Sequence, residues 1–170
     1  MIGIVKVLSL KNLTADTLVY QPVSLAGLGA SLAINAYRTL TSLEIGIYVV
    51  RDDYDPLCGL SHELGFIAGI NIIEELYLDV LVRVGTRWRT EDLSAFDSVL
   101  TEPGAFPILR RVSVKIWWYL ECKPEDQEDR DDVDAMFKLE SSKEDKFPRL
   151  VESKAVEFNF STEIHYLSES

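Results

Sequence analysis

The sequence predicts an α/β fold, a short right-handed solenoid of about five parallel strands with helices on one side. Three observations lead there. Apolar anchors, each followed three residues later by Leu, recur along the chain at Val5/Leu8, Leu40/Leu43, Ile73/Leu76, Phe106/Leu109 and Phe147/Leu150. The intervals between first anchors are 35, 33, 33 and 41 residues, and units that short bury their apolar faces only by stacking on one another. After the anchors the residues alternate apolar and polar, and between the alternating runs apolar residues return at helical spacing.

The strands follow in order. Leu8 and Leu10 begin the series. After Leu43, Ile45, Ile47 and Val49 share one side, with Glu44, Gly46 and Tyr48 opposite. After Leu76 the inward set is Leu78, Val80 and Val82, opposed by Tyr77, Asp79, Leu81 and Arg83. After Leu109 the phase slips by one, as a bulge allows. Val112, Val114, Ile116 and Trp118 then face inward against Arg111, Ser113, Lys115, Trp117 and Tyr119. The last strand is weaker, with Val156, Phe158 and Phe160 inward. One apolar face per strand favours a single layer of helices over a doubly wound sheet, whose strands are buried on both faces.

The helices fill the intervals. Ser24 to Tyr37 is a candidate helix that Gly27 and Gly29 weaken by about 1 kcal/mol each. Leu57, Leu60, Leu64 and Ile67 form one apolar stripe. Leu93, Phe96, Val99 and Leu100 form another after the acidic start Glu91-Asp92. A further helix is predicted around Asp132 to Leu139, within an acidic insertion that stretches the last interval.

That insertion, 121–146, lies within a single repeat domain spanning 1–170. Residues 121 to 145 hold eleven Asp/Glu against four Lys/Arg, so most of the net charge of −11 belongs to this one segment. Such a composition reads as a solvated, mobile insertion. The balance argues against a nucleic-acid partner, which needs a basic stripe. No run of about 18 uncharged apolar residues is present, so no membrane span is expected. Lys6 interrupts what would be the apolar core of a signal peptide, and the chain is read as cytoplasmic or nuclear. With Cys58 and Cys122 alone there is no disulfide framework.

The chemical motifs are weak. Asp52 and Glu63 stand at positions 1 and 12 of a calcium loop, but Tyr54 and Pro56 occupy positions 3 and 5, and Leu57 replaces the required Gly. Asp52, Asp53 and Asp55 read instead as a solvated strand-to-helix loop. Cys58 and His62 are one helical turn apart, yet zinc needs further ligands and cysteine catalysis needs an orienting group and an oxyanion site. Gly27-Leu-Gly29 lacks the third Gly of a dinucleotide loop. No metal, no cofactor and no catalytic residue is assigned, and the chain is read as not an enzyme.

The strand face opposite the core carries the strongest binding signal. Tyr48, Tyr77, Trp117 and Tyr119, with Arg83, Arg111 and Lys115 among them, fall on that face. Aromatic residues and Arg are the types enriched at interface hot spots, although cross-strand aromatic pairing also supports a sheet without any partner.

The segments Arg38-Thr-Leu-Thr-Ser-Leu-Glu-Ile45 and Ile73-Glu-Glu-Leu-Tyr-Leu78, with Phe-Pro-x-Leu at 106–109 and 147–150, resemble the irregular leucine-rich repeats of fungal F-box-type proteins. The resemblance runs from about Val5 to Phe160 and places the two prolines at strand starts. It implies a leucine-rich-repeat-like solenoid that recognises substrates of a ubiquitin ligase through protein–protein contact. The departures are longer units and the absence of an asparagine ladder: Leu13, Tyr48 and Leu81 stand where Asn or Cys is usual. No counterpart of the F-box precedes the first strand, so a fragment-like, uncapped receptor half is expected, unable to bind the ligase adaptor. The alternatives are a small α/β hydrolase or transferase with Cys58/His62 or an Asp cluster in its site, or a structural protein that self-associates through its uncapped ends. The apolar edge from Ile2 to Leu8, protected only by Lys6, points to the latter.

Overall fold

A computed structural model describes residues 3–7, 25–35, 38–49, 57, 59–83, 91–120 and 143–166. Its strands are β1 (Gly3–Val7), β2 (Leu40–Val49), β3 (Glu75–Arg83), β4 (Arg111–Leu120) and β5 (Glu157–Tyr166). Its helices are α1 (Leu28–Asn35), α2 (Leu60–Gly65), α3 (Glu91–Thr101), α4 (Lys143–Lys146) and α5 (Pro148–Glu152). The chain is therefore an α/β protein. Among the described residues the strands form one open sheet of order β1-β2-β3-β4-β5, and every pair is parallel. The row contains no strand-order reversal, which a doubly wound sheet would require.

The register explains why alternation was so readable. Leu43, Leu76, Val112 and Phe158 lie in one row across four strands, and Ile45, Leu78, Val114 and Phe160 in the next. On β2, β3 and β4 these residues are buried, whereas Phe158 and Phe160 on β5 are half-buried. The helices pack on this face in sequence, α1 on α2, α2 on α3 and α3 on α5. Leu57, Leu60, Leu64 and Ile67 all enter the core, as do Leu93, Phe96 and Leu100, while Val99 packs against it half-buried. The anchor pairs Leu40/Leu43, Ile73/Leu76, Phe106/Leu109 and Phe147/Leu150 are buried throughout.

The strand starts repeat a backbone device. Glu74 N–H donates to Thr41 O at 2.8 Å, Arg110 N–H to Glu74 O at 2.8 Å, and Glu157 N–H to Arg110 O at 2.7 Å. Each new strand is thus pinned to its predecessor one residue or so before pairing begins.

Three expectations change. The Phe-Pro-x-Leu segments do not start strands: Pro107 lies in a turn before β4, and Pro148 is the first residue of α5. Proline suits both places, because it supplies a fixed φ where no N–H is needed. The apolar stripe ending at Ile67 gives only the short helix α2, followed by hydrogen-bonded turns. The helix expected over Ser24 to Tyr37 is described as α1 alone. The helix expected around Asp132 to Leu139, with 121–142 of the acidic insertion, lies outside the described residues, as do Leu8, Leu10 and Leu13. The remainder of that insertion, 143–146, is α4.

Gly29 earns its place in α1 through packing. A Cβ there would collide with the Glu63 carbonyl of α2, and the bare backbone lets Gly29 N–H donate to Glu63 Oε2 at 2.7 Å. The buried Glu63 carboxylate thereby satisfies an otherwise orphaned donor of the first turn of α1. Asn71, also buried, does comparable work between units. Its Nδ2 donates to Ile67 O at 2.7 Å and Ala105 O at 2.8 Å, and its Oδ1 accepts Ile73 N–H at 3.3 Å.

Candidate binding face

No helix covers the other face of the sheet among the described residues, and its polar and aromatic side chains stand in rows set by the strand register. The first row is Ser42, Glu75, Arg111 and Glu157. Arg111 is clamped between two acids: Nη1 lies 3.1 Å from Glu75 Oε1, and Nε and Nη2 lie 3.3 Å from Glu157 Oε2. Tyr77 O–H donates to Glu75 Oε2 at 3.1 Å, and Asn159 Nδ2 donates to Glu157 Oε1 at 3.2 Å. The Asn159 hydrogen bond, then the Arg111 guanidinium, holds the Glu157 carboxyl below its ordinary range.

Beyond the row of Glu44, Tyr77, Ser113 and Asn159 comes that of Gly46, Asp79, Lys115 and Ser161. Burial against the sheet pushes the Asp79 carboxyl up from its ordinary value, with the negative charge of Glu44 adding to the effect. Lys115 and a hydrogen bond from the Trp117 side chain oppose that shift. Lys115 reaches diagonally to form an ion pair with Glu163, and this contact depresses the Glu163 carboxyl.

The last rows carry the aromatic chemistry. Leu81, Trp117 and Glu163 share one row, and Arg83, Tyr119 and His165 the next. The His165 ring lies 4.8 Å from Trp117 and stacks on Tyr119 at 5.6 Å, centroid to centroid. Lys115 Nζ sits 3.8 Å from the centre of the Trp117 ring, within cation–π range. Trp117, Tyr119 and His165 are half-buried, each presenting part of a ring to solvent.

Of the residues expected here, Tyr77, Arg111, Lys115, Trp117 and Tyr119 share this face. Tyr48 and Arg83 occupy matching positions, Tyr48 beside Leu81 and Arg83 beside Tyr119; their side chains lie outside the described residues. Sequence reasoning missed Glu75, Glu157, Glu163 and His165. Alternation along the last strand does put 157, 163 and 165 on this side. Which of them meets Arg111, Lys115 or Trp117 is set by inter-strand register, and no local pattern encodes that.

The face has ring surfaces and cations already paired with carboxylates. Cys58, Asp52, Asp53, Asp55 and Cys122 lie outside the described residues, while His62 is exposed on α2 with its ring edge-on to Phe66 at 4.9 Å. Among the described residues no group of three or more His, Cys, Asp or Glu is arranged to hold a metal ion. No helix described is long and apolar enough to cross a membrane. Comparison with known proteins finds no matching family model, no matching curated protein and no matching solved structure.

Proposed function

We propose that this chain is a non-enzymatic protein-interaction module, a short right-handed leucine-rich-repeat-like solenoid that holds a protein partner on its open sheet face. The observation that carries this reading is the contrast between the two faces of β3, β4 and β5. One is covered by helices, and the other lines up Tyr77, Trp117, Tyr119 and His165 with paired charges along neighbouring strands. Rigid aromatic rings lose little entropy on binding, and a sheet holds them at fixed spacing. The sequential parallel order and the repeated anchors support the solenoid part of the reading. The resemblance to fungal F-box-type repeats points to substrate recognition in ubiquitination, in the cytoplasm or nucleus, as the setting.

The test compares the proteins retained by the wild-type chain with those retained by two variants. Trp117→Ala/Tyr119→Ala alters the open face, and Phe66→Ser alters an exposed apolar residue at the end of α2. A partner lost with the first variant and kept with the second supports the reading. Loss with Phe66→Ser alone contradicts it.

A further inference from the structure

Asp79, Glu157, Asn159 and Glu163 of the open face are themselves exposed, and Trp117, Tyr119 and His165 are half-buried. The charges on this face are unequal. Its described side chains include five carboxylates, Glu44, Glu75, Asp79, Glu157 and Glu163, and two cations, Arg111 and Lys115. With Lys6 and Arg83 added at their register positions, the acids still outnumber the cations. Arg111 is held between Glu75 and Glu157, and Lys115 is paired with Glu163. Asp79 is the carboxylate best placed for an incoming cation. Its row neighbour on β2 is Gly46, exposed and without a side chain, so the sheet on that flank is bare backbone. Burial and then the charge of Glu44 raise the Asp79 carboxyl, and a cation arriving beside Gly46 would offset the second of these. A hydrogen bond from the Trp117 side chain ties the same carboxylate to the ring cluster. The charge of the whole chain, −11, acts in the same direction, and its acidic run 121–145 begins one residue after Leu120, the end of the strand that carries Trp117 and Tyr119.

We propose that the partner of the open face presents a basic stretch of protein chain, whose Lys or Arg side chains settle on Asp79 and Glu163 and lie against the rings of Trp117, Tyr119 and His165. This rests on the reading of that face as a protein-binding surface. Asp79 on β3 and Glu163 on β5 lie on either side of Trp117, two strand spacings or about 10 Å apart, a span that one extended segment crossing the strands covers. A carboxylate accepts from more than one donor, so Glu163 can keep Lys115 and still receive a second cation. Arg suits the site best, because its guanidinium pairs with carboxylates and also stacks on aromatic faces. An acidic partner would find Arg111 and Lys115 engaged and would approach a chain of like charge.

Fluorescence anisotropy of the full chain with labelled peptides of equal length tests this, one alternating Arg and Ser, one Glu and Ser, and one Gln and Ser. The Arg/Ser peptide is expected to bind saturably and more weakly as salt is added, and the other two are not. Asp79→Asn/Glu163→Gln should weaken that binding about five- to tenfold. Glu102→Gln/Glu152→Gln removes the same charge from exposed positions off the sheet, and should weaken it about twofold at most. Circular dichroism checks each fold; if the first double variant does not fold, Asp79→Asn alone decides, with a loss of about threefold expected. Absence of binding to the Arg/Ser peptide, equal binding of the Gln/Ser peptide, or preference for the Glu/Ser peptide would overturn the inference. So would equal weakening by the two double variants, which would assign the binding to net charge. A cellular partner lost with Trp117→Ala/Tyr119→Ala but kept with Asp79→Asn/Glu163→Gln would overturn this inference and leave the reading of the face standing, whereas a face on which neither variant loses a partner would overturn both.

Discussion

Asp97, in the middle of α3, accepts the backbone N–H of Leu150 at 2.8 Å, 53 residues further along the chain. Its second carboxylate oxygen accepts the N–H of Arg149 at 3.1 Å. One buried side chain of one unit therefore caps the helix that begins the next, where Pro148 has already removed one orphan donor.

Replacing Asp97 with Ala would strand two donors at the start of α5, so a loss of about 3 kcal/mol is expected. Asp97→Asn, which keeps one carbonyl acceptor, should lose about half as much. Chemical denaturation measures both; a loss no larger than that of the exposed Ser94→Ala would show that the cap contributes little.

How far the fold could be read from the chain is clearest on β3. The alternation Leu76, Leu78, Val80, Val82 gave the correct buried face, because a half-buried strand repeats its chemistry every second residue. The same logic assigned Trp118 to the core and Trp117 to the open side. It did not reveal Phe147/Leu150 as part of a helical turn, since two buried anchors three residues apart fit a helix as well as a strand's approach. Nor did it expose Asp97, Glu63 or Asn71. Each has a partner 34 to 53 residues away along the chain, which no local pattern signals. The open face was half legible for the same reason: its rings and cations follow from alternation, while the carboxylates and His165 that complete it arrive through register.

The two adjacent tryptophans should separate cleanly. Trp118→Ala empties a core position that is 7% exposed and is expected to cost about 3–5 kcal/mol. Trp117→Ala forfeits its contacts with His165 and Lys115 on the open face, a loss of about 1 kcal/mol. Those contacts make Trp117 more costly to remove than alternation alone suggests. Equal losses in thermal or denaturant unfolding would contradict the strand phase.

Helix propensity favours Gly29→Ala by about 1 kcal/mol, but the close approach of the Glu63 carbonyl should reverse the sign. Pushing α1 off α2 also breaks the bond to Glu63 Oε2, and a net cost of about 2 kcal/mol is expected. Gly65→Ala, where a Cβ meets nothing within 4 Å, is the control. A stabilised Gly29→Ala would show that the helices stand further apart.

Asp79 should make stability depend on pH in the direction opposite to Glu157 and Glu163. Its folded carboxyl is raised above 3.8 by burial and by Glu44, so the folded state holds its proton more tightly than the unfolded chain does. Stability then falls as pH rises from about 3.8 through the raised value. Glu157 and Glu163 are lowered from 4.5, and their contribution is lost as pH falls below that value. Asp79→Asn should therefore be more stable than wild type at pH 7, with the difference disappearing below about pH 4. An advantage that persists at low pH would assign it to something other than charge.

The central claim is that the sheet buries one face and leaves the other free for contact, and thiol labelling along β4 tests it most directly. With Cys58 and Cys122 replaced by Ser, single cysteines at Ser113, Val114, Lys115 and Ile116 are exposed to a thiol reagent under native conditions. The account predicts rapid labelling at 113 and 115, and at 114 and 116 labelling only as fast as the chain unfolds. Equal rates at all four positions, or faster labelling at 114 and 116, would contradict it.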